Sequence, residues 1–257
     1  MAASDDLAFA LHLADLAAQV TLPEFGARHQ VTRKADDSPV TAVDRAAEQV
    51  IRQAVRDQFP DDGVLGEEEG LQPGSSGRVW VVDPIDGTRM FAEGIPTWTT
   101  LIGLREHDEV TVGVADAPAL RERAHAVRGE GAWAGGRRLH VSDVSTLREA
   151  FLLHASLEDF VASGEVHGLL SLARTARGSR GMADAWGHLL VARGAAEVAV
   201  EAMPCFEWDW AATGLIVAEA GGSVSRLEGG PPTSGCRLLV SNGRVDDEVR
   251  ATLAVSG

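Results

Sequence analysis

Lysine is almost missing from this chain: Lys34 is the single example, against 22 arginines. A GC-rich genome converts most Lys codons to Arg, so the survivor reads either as chance or as a place that wants a compact, point-like ammonium. Basic charge as a whole is scarce. Lys and Arg total 23 against 38 Asp and Glu, a net charge of −15. That balance speaks against nucleic acid or an anionic membrane as partner, since both need a basic surface. It also sets a condition: if the substrate is an anion, something local must reverse the sign, as a bound metal ion would. Cysteine is rare too. Cys205 and Cys236 are far apart in the chain and do not make a disulfide framework, so a reducing, cytoplasmic compartment is expected. No run of about 18 apolar residues is present, which excludes a helical membrane span. The first twenty residues carry acids where a signal peptide has basic residues, and their apolar positions are periodic, so they read as a helix and not as a targeting segment.

What remains is an ordinary globular composition, 257 residues with 45% hydrophobic and 24% charged, enough for one large unit or two joined subdomains. There is no internal repeat, low-complexity tract or long linker. Periodicity predicts helices over 5–25 and 41–59, with a turn-rich loop at 34–41 between them. A short strand at 64–66 precedes an acidic turn, a loop at 71–77 and a buried strand at 78–83. Strand-like segments follow at 98–104, 110–117, 122–129 and 132–142, the last with Gly135-Gly136 as a hairpin turn. Beyond about 145 strands alternate with helices: strands at 149–155, 196–202, 222–227 and 237–242, helices at 165–174, 182–194, 208–222 and 245–255. Helices first, then a run of strands, then alternating units predict a layered α/β architecture. An N-terminal α+β subdomain over 1–140 and a C-terminal α/β subdomain over 141–257 would form one continuous unit.

The chemistry concentrates in VVDPIDGT, residues 81–88. Two carboxylates, Asp83 and Asp86, end a hydrophobic strand. Pro84 keeps Asp83 out of the α region, the Ile85 carbonyl offers a third oxygen, and Gly87-Thr88 can open a helix whose N–H groups favour an anion. Acids, a carbonyl and an anion nest within six residues suit a hard cation and a phosphate. The same letters also fit a helix N-cap followed by a turn acid. Three further acids bear on the choice. Glu67 lies in GEEEG after the 64–66 strand, where a solvated turn is the alternative. Asp44 in TAVD opens a helix, where a capping box is the alternative. Asp209 in EWDWAATG also stands at a helix start. Each has an adequate structural explanation alone. Together they would be a costly cluster of like charge unless a cation neutralises it. The donors are all oxygen and no Cys/His spacing for zinc exists, so Mg²⁺ is the natural occupant.

SPVTAVDRAAE (38–48), GEE (66–68), WVVDPIDGT (80–88) and WDWAATGLIVAEAGG (208–222) stand in the order and spacing of the inositol monophosphatase family, Mg²⁺-dependent, lithium-sensitive phosphatases, and the chain resembles that family over nearly its whole length. The resemblance implies an αβαβα sandwich, usually a homodimer, with two to three Mg²⁺ per site. It implies that Glu67, Asp83 and the Ile85 carbonyl hold one ion, and that Asp83, Asp86 and Asp209 hold a second. Glu67 would also reach a third ion through water. Asp44 would hydrogen-bond Thr88, and Thr88 with Glu67 would orient the attacking water. The amides of Gly87 and Thr88 would bind phosphate, and Lys34 lies in a loop that faces the active site in the family. Water would attack phosphorus directly, with no phosphoenzyme; Cys205 and Cys236 lack the Arg-rich loop that a cysteine phosphatase needs.

Within the family, residues 83–104, 116–133 and 184–201 are most similar to the bacterial histidinol-phosphate phosphatase branch. Ala183 stands where that branch has Gly, and the step from Glu201 to Asp209 is one residue longer than in inositol-specific members. Histidinol phosphate is cationic at its organic end. Asp184 and Glu201 would meet that cation, and Arg180 would reach the phosphate, within the chain or across a dimer interface. Trp186 and His188 read either as part of that branch pattern or as a helix face packed in the core. The expected partner is thus a small phosphorylated metabolite of histidine biosynthesis. The alternatives are inositol 1-phosphate or a broad set of sugar phosphates, and, in a different class, a non-catalytic metal- or metabolite-binding regulator on the same scaffold.

Overall fold

The computed structural model describes residues 2–27, 32–33, 39–40, 42–182 and 184–254. Two helices form the first layer. On α1 (Ala2–Thr21) the buried Ala10, Leu13, Ala14 and Ala17 recur at helical spacing, and on α2 (Ala42–Gln58) Val43, Ala47, Ile51 and Val55 do the same. The helix expected to run to residue 25 ends at Thr21, because Pro23 has no N–H for the next helical bond, and the chain continues in hydrogen-bonded turns. A two-stranded antiparallel pair, β1 (Thr32–Arg33) and β2 (Pro39–Val40), lies between the helices in sequence.

The second layer is an eight-stranded sheet. Its strands are β3 (Gly63–Gly66), β4 (Gly70–Gln72), β5 (Arg78–Asp86), β6 (Thr99–Glu106), β7 (Glu109–Ala117), β8 (Glu122–Val127), β9 (Gly131–Ala134) and β10 (Arg137–Arg138), in the order 10-9-8-7-6-5-3-4. Only β3 and β5 pair in parallel. Gly135 and Gly136, both at positive φ, turn β9 into β10 as a two-residue hairpin requires. The expected strand at 132–142 is therefore a hairpin that ends at Arg138. The three residues of β4 fall where a loop was expected, since β3 offers them an antiparallel edge.

A second, five-stranded sheet contains β11 (Phe151–His154), β12 (Gly178–Gly181), β13 (Val198–Cys205), β14 (Ser223–Arg226) and β15 (Cys236–Ser241), in the order 12-11-13-15-14. Between the two sheets lie α6 (Asp184–Ala192) and α7 (Glu207–Glu219); on the far face lie α4 (Leu157–Ala162), α5 (Val166–Thr175) and α8 (Asp246–Ala254). The period of two along each strand shows in where neighbours go. Leu152, Val198, Val200 and Leu239 pack with Phe160, Leu169, Leu172 and Val249 of the outer helices. Leu153, Ala199 and Val240 face the other way, toward Leu189, Leu215 and Ile216 of the middle pair. The layers run α, β, α, β, α, the sandwich expected from the sequence. The middle layer is thin at α7: a Cβ on Gly113 would lie 2.6 Å from the Ala212 carbonyl oxygen, so only glycine admits the helix this close to β7. Cys205 and Cys236, far apart in the chain, are register partners on β13 and β15, both as free thiols. Among the described residues no helix is long and apolar enough to cross a membrane.

Candidate metal centre and active site

The strand β5 does not end at Asp83. It pairs with β6 as far as Asp83↔Leu101, slips, and pairs once more at Asp86↔Thr99. Pro84 and Ile85 are the slip, a bulge at which proline's missing N–H costs no ladder bond. In a regular strand residues three apart point to opposite faces. The bulge removes that alternation, and Asp83 and Asp86 each present a carboxylate oxygen, with Asp209 from the first turn of α7, within 4.8 Å of one another. The Ile85 side chain is buried with Val43, Phe91 and Trp98, which anchors the bulge from below.

Each of the three carboxylates is aimed by a backbone N–H. Ile85 N–H donates to Asp83 Oδ1 at 3.0 Å, Ala185 N–H to Asp86 Oδ2 at 2.9 Å, and Phe206 N–H to Asp209 Oδ2 at 2.6 Å. Thr99 Oγ1 adds a second donor to Asp86 at 3.2 Å. The groups that act on Asp83 are themselves acids: burial raises its pKa well above the ordinary range, and Glu67, Asp86 and Asp209 raise it further. Asp86 is raised by burial, then by Asp184 and Asp209. Burial lifts Asp209 to about 8 against the pull of the Phe206 N–H. Desolvated oxygen donors that repel one another and are pre-aimed by backbone N–H groups are the chemistry of a hard-cation site. The residues present fit Mg²⁺.

One helix face positions the neighbours of this centre. Asp44, Glu48 and Arg52 follow at i, i+4 and i+8 on α2, and all three are buried. Thr88 Oγ1 lies 3.3 Å from Asp44 Oδ1 and 3.2 Å from the Ile85 carbonyl. The Glu48 carboxylate accepts the N–H groups of Glu68 and Glu69 at 2.8 and 3.0 Å and Arg52 Nε at 2.8 Å. Arg52 in turn donates to the Gly70 carbonyl at 2.6 Å. The turn that carries Glu67 is therefore hung on a buried ion pair. It comes so close that a Cβ on Gly66 would sit 2.4 Å from the Glu48 carboxylate. Glu48 was not among the expected site residues, although a charged ladder on the apolar face of a helix is visible in the letters.

The cleft beside the acids has a volume of about 180 Å³ and is lined by Asp86, Asp159, Asp184, His188, Glu201 and Asp209, with Cys205 at its edge. Asp184 begins α6 at φ 53°, a left-handed value that Asp tolerates at some cost. Its N–H donates to Glu201 Oε1 at 2.9 Å, and its neighbour Ala185 bonds Asp86, so two cleft carboxylates cap α6. Desolvation within the cleft, then Glu201 and Asp159, push Asp184 up to about 7 although the residue is open to solvent. Gly87, at φ 80°, opens the short helix α3 (Thr88–Ala92), and a Cβ there would lie 3.7 Å from Asp184 Oδ2.

One expected site residue is not among those that line the cleft. Arg180 is exposed on the edge strand β12, donates to the Ser179 carbonyl and is not one of the residues that line the cleft. Lys34 lies outside the described residues. Asp159 was missed: it belongs to α4, whose six residues between Ser156 and Ser163 carry too short a pattern to read as a helix.

A sequence model of the inositol monophosphatase family matches residues 3–256. The chain belongs to the inositol monophosphatase family. It is 42% identical over 255 residues to a histidinol-phosphatase of Mycobacterium tuberculosis, covering 97% of this chain and 98% of that one. It is 40% identical over 255 residues to a histidinol-phosphatase of Streptomyces coelicolor, covering 95% of each. Among solved structures, an IMPase from Thermotoga maritima superimposes with a TM-score of 0.89 at 30% identity, covering 98% of each chain. In this family member, as in those relatives, the match runs the length of both chains.

Proposed function

We propose that this chain is a phosphomonoesterase that hydrolyses L-histidinol phosphate to L-histidinol and phosphate by direct attack of water. The observation that carries the phosphatase reading is the trio Asp83, Asp86 and Asp209, three oxygen donors aimed by backbone N–H groups into a cleft of acids. The choice of ester is supported by the likeness to the two histidinol-phosphatases. Glu67, Asp83, the Ile85 carbonyl, Asp86 and Asp209 would hold two to three Mg²⁺. When bound, these ions supply the positive charge that admits a phosphate, acidifies water and stabilises the leaving oxygen. The protein's own part is positional. Asp44 accepts the hydrogen bond of the Thr88 hydroxyl, which leaves a lone pair of Thr88 Oγ1 to accept a hydrogen bond from the attacking water. Glu67 holds the other side of that water. The Gly87 and Thr88 amides face the phosphate. On the same reading the enzyme serves histidine biosynthesis as a lithium-sensitive, cytoplasmic homodimer, with neither nucleic acid nor membrane as partner.

The deciding experiment is phosphate release with Mg²⁺ from histidinol phosphate, inositol 1-phosphate, fructose 1,6-bisphosphate and adenosine 3′,5′-bisphosphate. A kcat/KM for histidinol phosphate about a hundredfold above the rest, some 2.7 kcal/mol, is the expected outcome. A flat profile leaves a general phosphatase, and no release from any ester leaves a metal-binding regulator.

A further inference from the structure

Two cysteines stand opposite each other at the point where a broken strand pair closes again. β13 pairs with β15 as far as Glu201↔Leu238, slips, and rejoins it at Cys205↔Cys236. Ala202, Met203 and Pro204 of β13 stand against the single Arg237 of β15, so the return at Cys205 is set apart from the rest of the ladder. The two segments are close there: Gly235 N–H donates to the Cys205 carbonyl at 2.8 Å. Both cysteines are partly exposed and both are free thiols. Their sulfurs make weak bonds, Cys205 Sγ to the Met203 carbonyl at 3.6 Å and Thr233 N–H to Cys236 Sγ at 3.4 Å. Opposed residues of an antiparallel pair hold their Cα atoms within the span that a disulfide bridges, and their Cβ atoms about 1 Å beyond the separation at which it closes. Desolvation, then Glu201, Asp209 and Asp184, hold the Cys205 thiol well above the ordinary thiol range, and Cys236 adds to the effect.

The residues on either side of Cys205 connect this pair to the metal centre. Glu201, before the slip, accepts the Asp184 N–H, and Phe206, the next residue after Cys205, aims Asp209 with its N–H at 2.6 Å. A bond that draws Cys205 toward β15 draws Phe206 with it, and Asp209 loses the donor that holds its carboxylate beside Asp83 and Asp86. In a reducing compartment a cysteine pair of this kind acts as a switch and not as a staple. We propose that Cys205 and Cys236 form a reversible disulfide, a modification that weakens the metal centre by way of Phe206 and Asp209. The oxidant is a hydroperoxide. The Cys236 sulfur, in a segment with exposed Ser234 and Gly235, attacks a peroxide oxygen, giving a sulfenic acid and an alcohol, or water from hydrogen peroxide. The Cys205 sulfur then attacks the Cys236 sulfur, the S–S bond forms and the sulfenic oxygen leaves as water. The two thiols give up two protons and two electrons, and the peroxide takes up both. A dithiol reverses the step by exchange and is itself oxidised. The switch rests on the Mg²⁺ reading of the acids and holds whichever ester is cleaved.

The test treats the full chain with hydrogen peroxide and then with dithiothreitol, and follows it in two ways. Tryptic peptides 194–226 and 227–237 carry one cysteine each, so a non-reduced peptide map reads the cross-link directly. Calorimetric titration with Mg²⁺ reads the centre without any substrate. In the wild type, peroxide should join the two peptides and raise the Kd for Mg²⁺ about tenfold, the effect of disturbing a hydrogen-bond partner of a metal ligand. Dithiothreitol should restore both. Reduced Cys236→Ser should bind Mg²⁺ as the wild type does and keep that Kd in peroxide. Peptides that stay separate overturn the switch, and so does a cross-link that leaves the Kd unchanged. A Cys236→Ser protein that loses Mg²⁺ affinity in peroxide as the wild type does also overturns it, in favour of oxidation at Cys205 alone or at the exposed Met203. The wild-type map and titration decide the matter should Cys236→Ser fail to fold. A reduced wild type that binds no Mg²⁺ overturns the metal reading itself, and the switch with it.

Discussion

Asp83 and Asp86 are three residues apart, a spacing that sends side chains of an unbroken strand to opposite faces. They converge because Pro84 and Ile85 form a bulge, so the proline does more than keep Asp83 from helical geometry. The acids themselves were legible as letters: four segments with carboxylates at strand ends and helix starts are hard to reconcile with separate caps. The oxygens they point with were not, since Ala185 and Phe206, the residues that aim Asp86 and Asp209, are known as donors only once the chain is folded. The same holds for His188, whose Nδ1 lies 3.0 Å from Thr213 Oγ1, a partner 25 residues away. Asp83→Asn tests the centre at this scale. Turnover is expected to fall by about a thousandfold or more, in keeping with loss of a group that acts only when the site is assembled. The fold should persist, and the metal-free protein should melt at a higher temperature than wild type because one member of a repelling cluster is gone. Phosphate release and thermal melts in EDTA report the two outcomes.

At the scale of elements, α2 works as a ruler. Asp44 meets Thr88, Glu48 holds the turn of Glu67 and Arg52 closes that turn's base, each one helical step beyond the last. The helix was predicted from its apolar face; its buried charged ladder became meaningful only against the 66–70 turn. Short elements were the ones the letters concealed. Helix α4 is six residues long, and β12 reads GSRG, with no alternation to betray a strand. Glu48→Gln is expected to raise the Mg²⁺ concentration for half-maximal activity about tenfold and to cost about 3 kcal/mol of stability by leaving the buried Arg52 with only the half-exposed Glu69, 3.5 Å away, as counter-charge. The double variant Glu48→Gln/Arg52→Met removes the stranded charge. It should regain most of the melting temperature but not the Mg²⁺ requirement, which separates support of the fold from placement of Glu67.

At the scale of the molecule, a cleft of acids in a chain of net charge −15 makes stability depend on protons. Desolvation in the cleft, with the neighbouring acids, holds Asp184 at about 7 and Asp209 at about 8, above their unfolded values. Between about pH 4 and 8 the folded, metal-free protein therefore binds more protons than the unfolded chain, and its stability must fall as pH rises through that window. Mg²⁺ competes with those protons, so its binding should tighten over the same range. Melts in EDTA should decline from pH 5 to pH 8, melts in Mg²⁺ should not, and the gap should be widest at pH 8; parallel curves would contradict the cluster's role. A layered α/β fold was legible from the order of helices and strands, while the five layers were expected only from the resemblance to the family. The position of α7 between both sheets was not legible, because a helix enclosed on all sides shows little polar stripe to read.

That enclosure gives Asp209 another consequence. It rides on α7, while Asp83 and Asp86 belong to a strand of the first sheet about 120 residues earlier in the chain. A cation shared among them is a reversible cross-link, closing a loop of a size whose entropy is among the most expensive to confine. Chelation would cut that link at the seam between the sheets. Proteases should then find the segment between β14 and β15, with its exposed Gly230, Pro231 and Ser234, sooner in EDTA than in Mg²⁺.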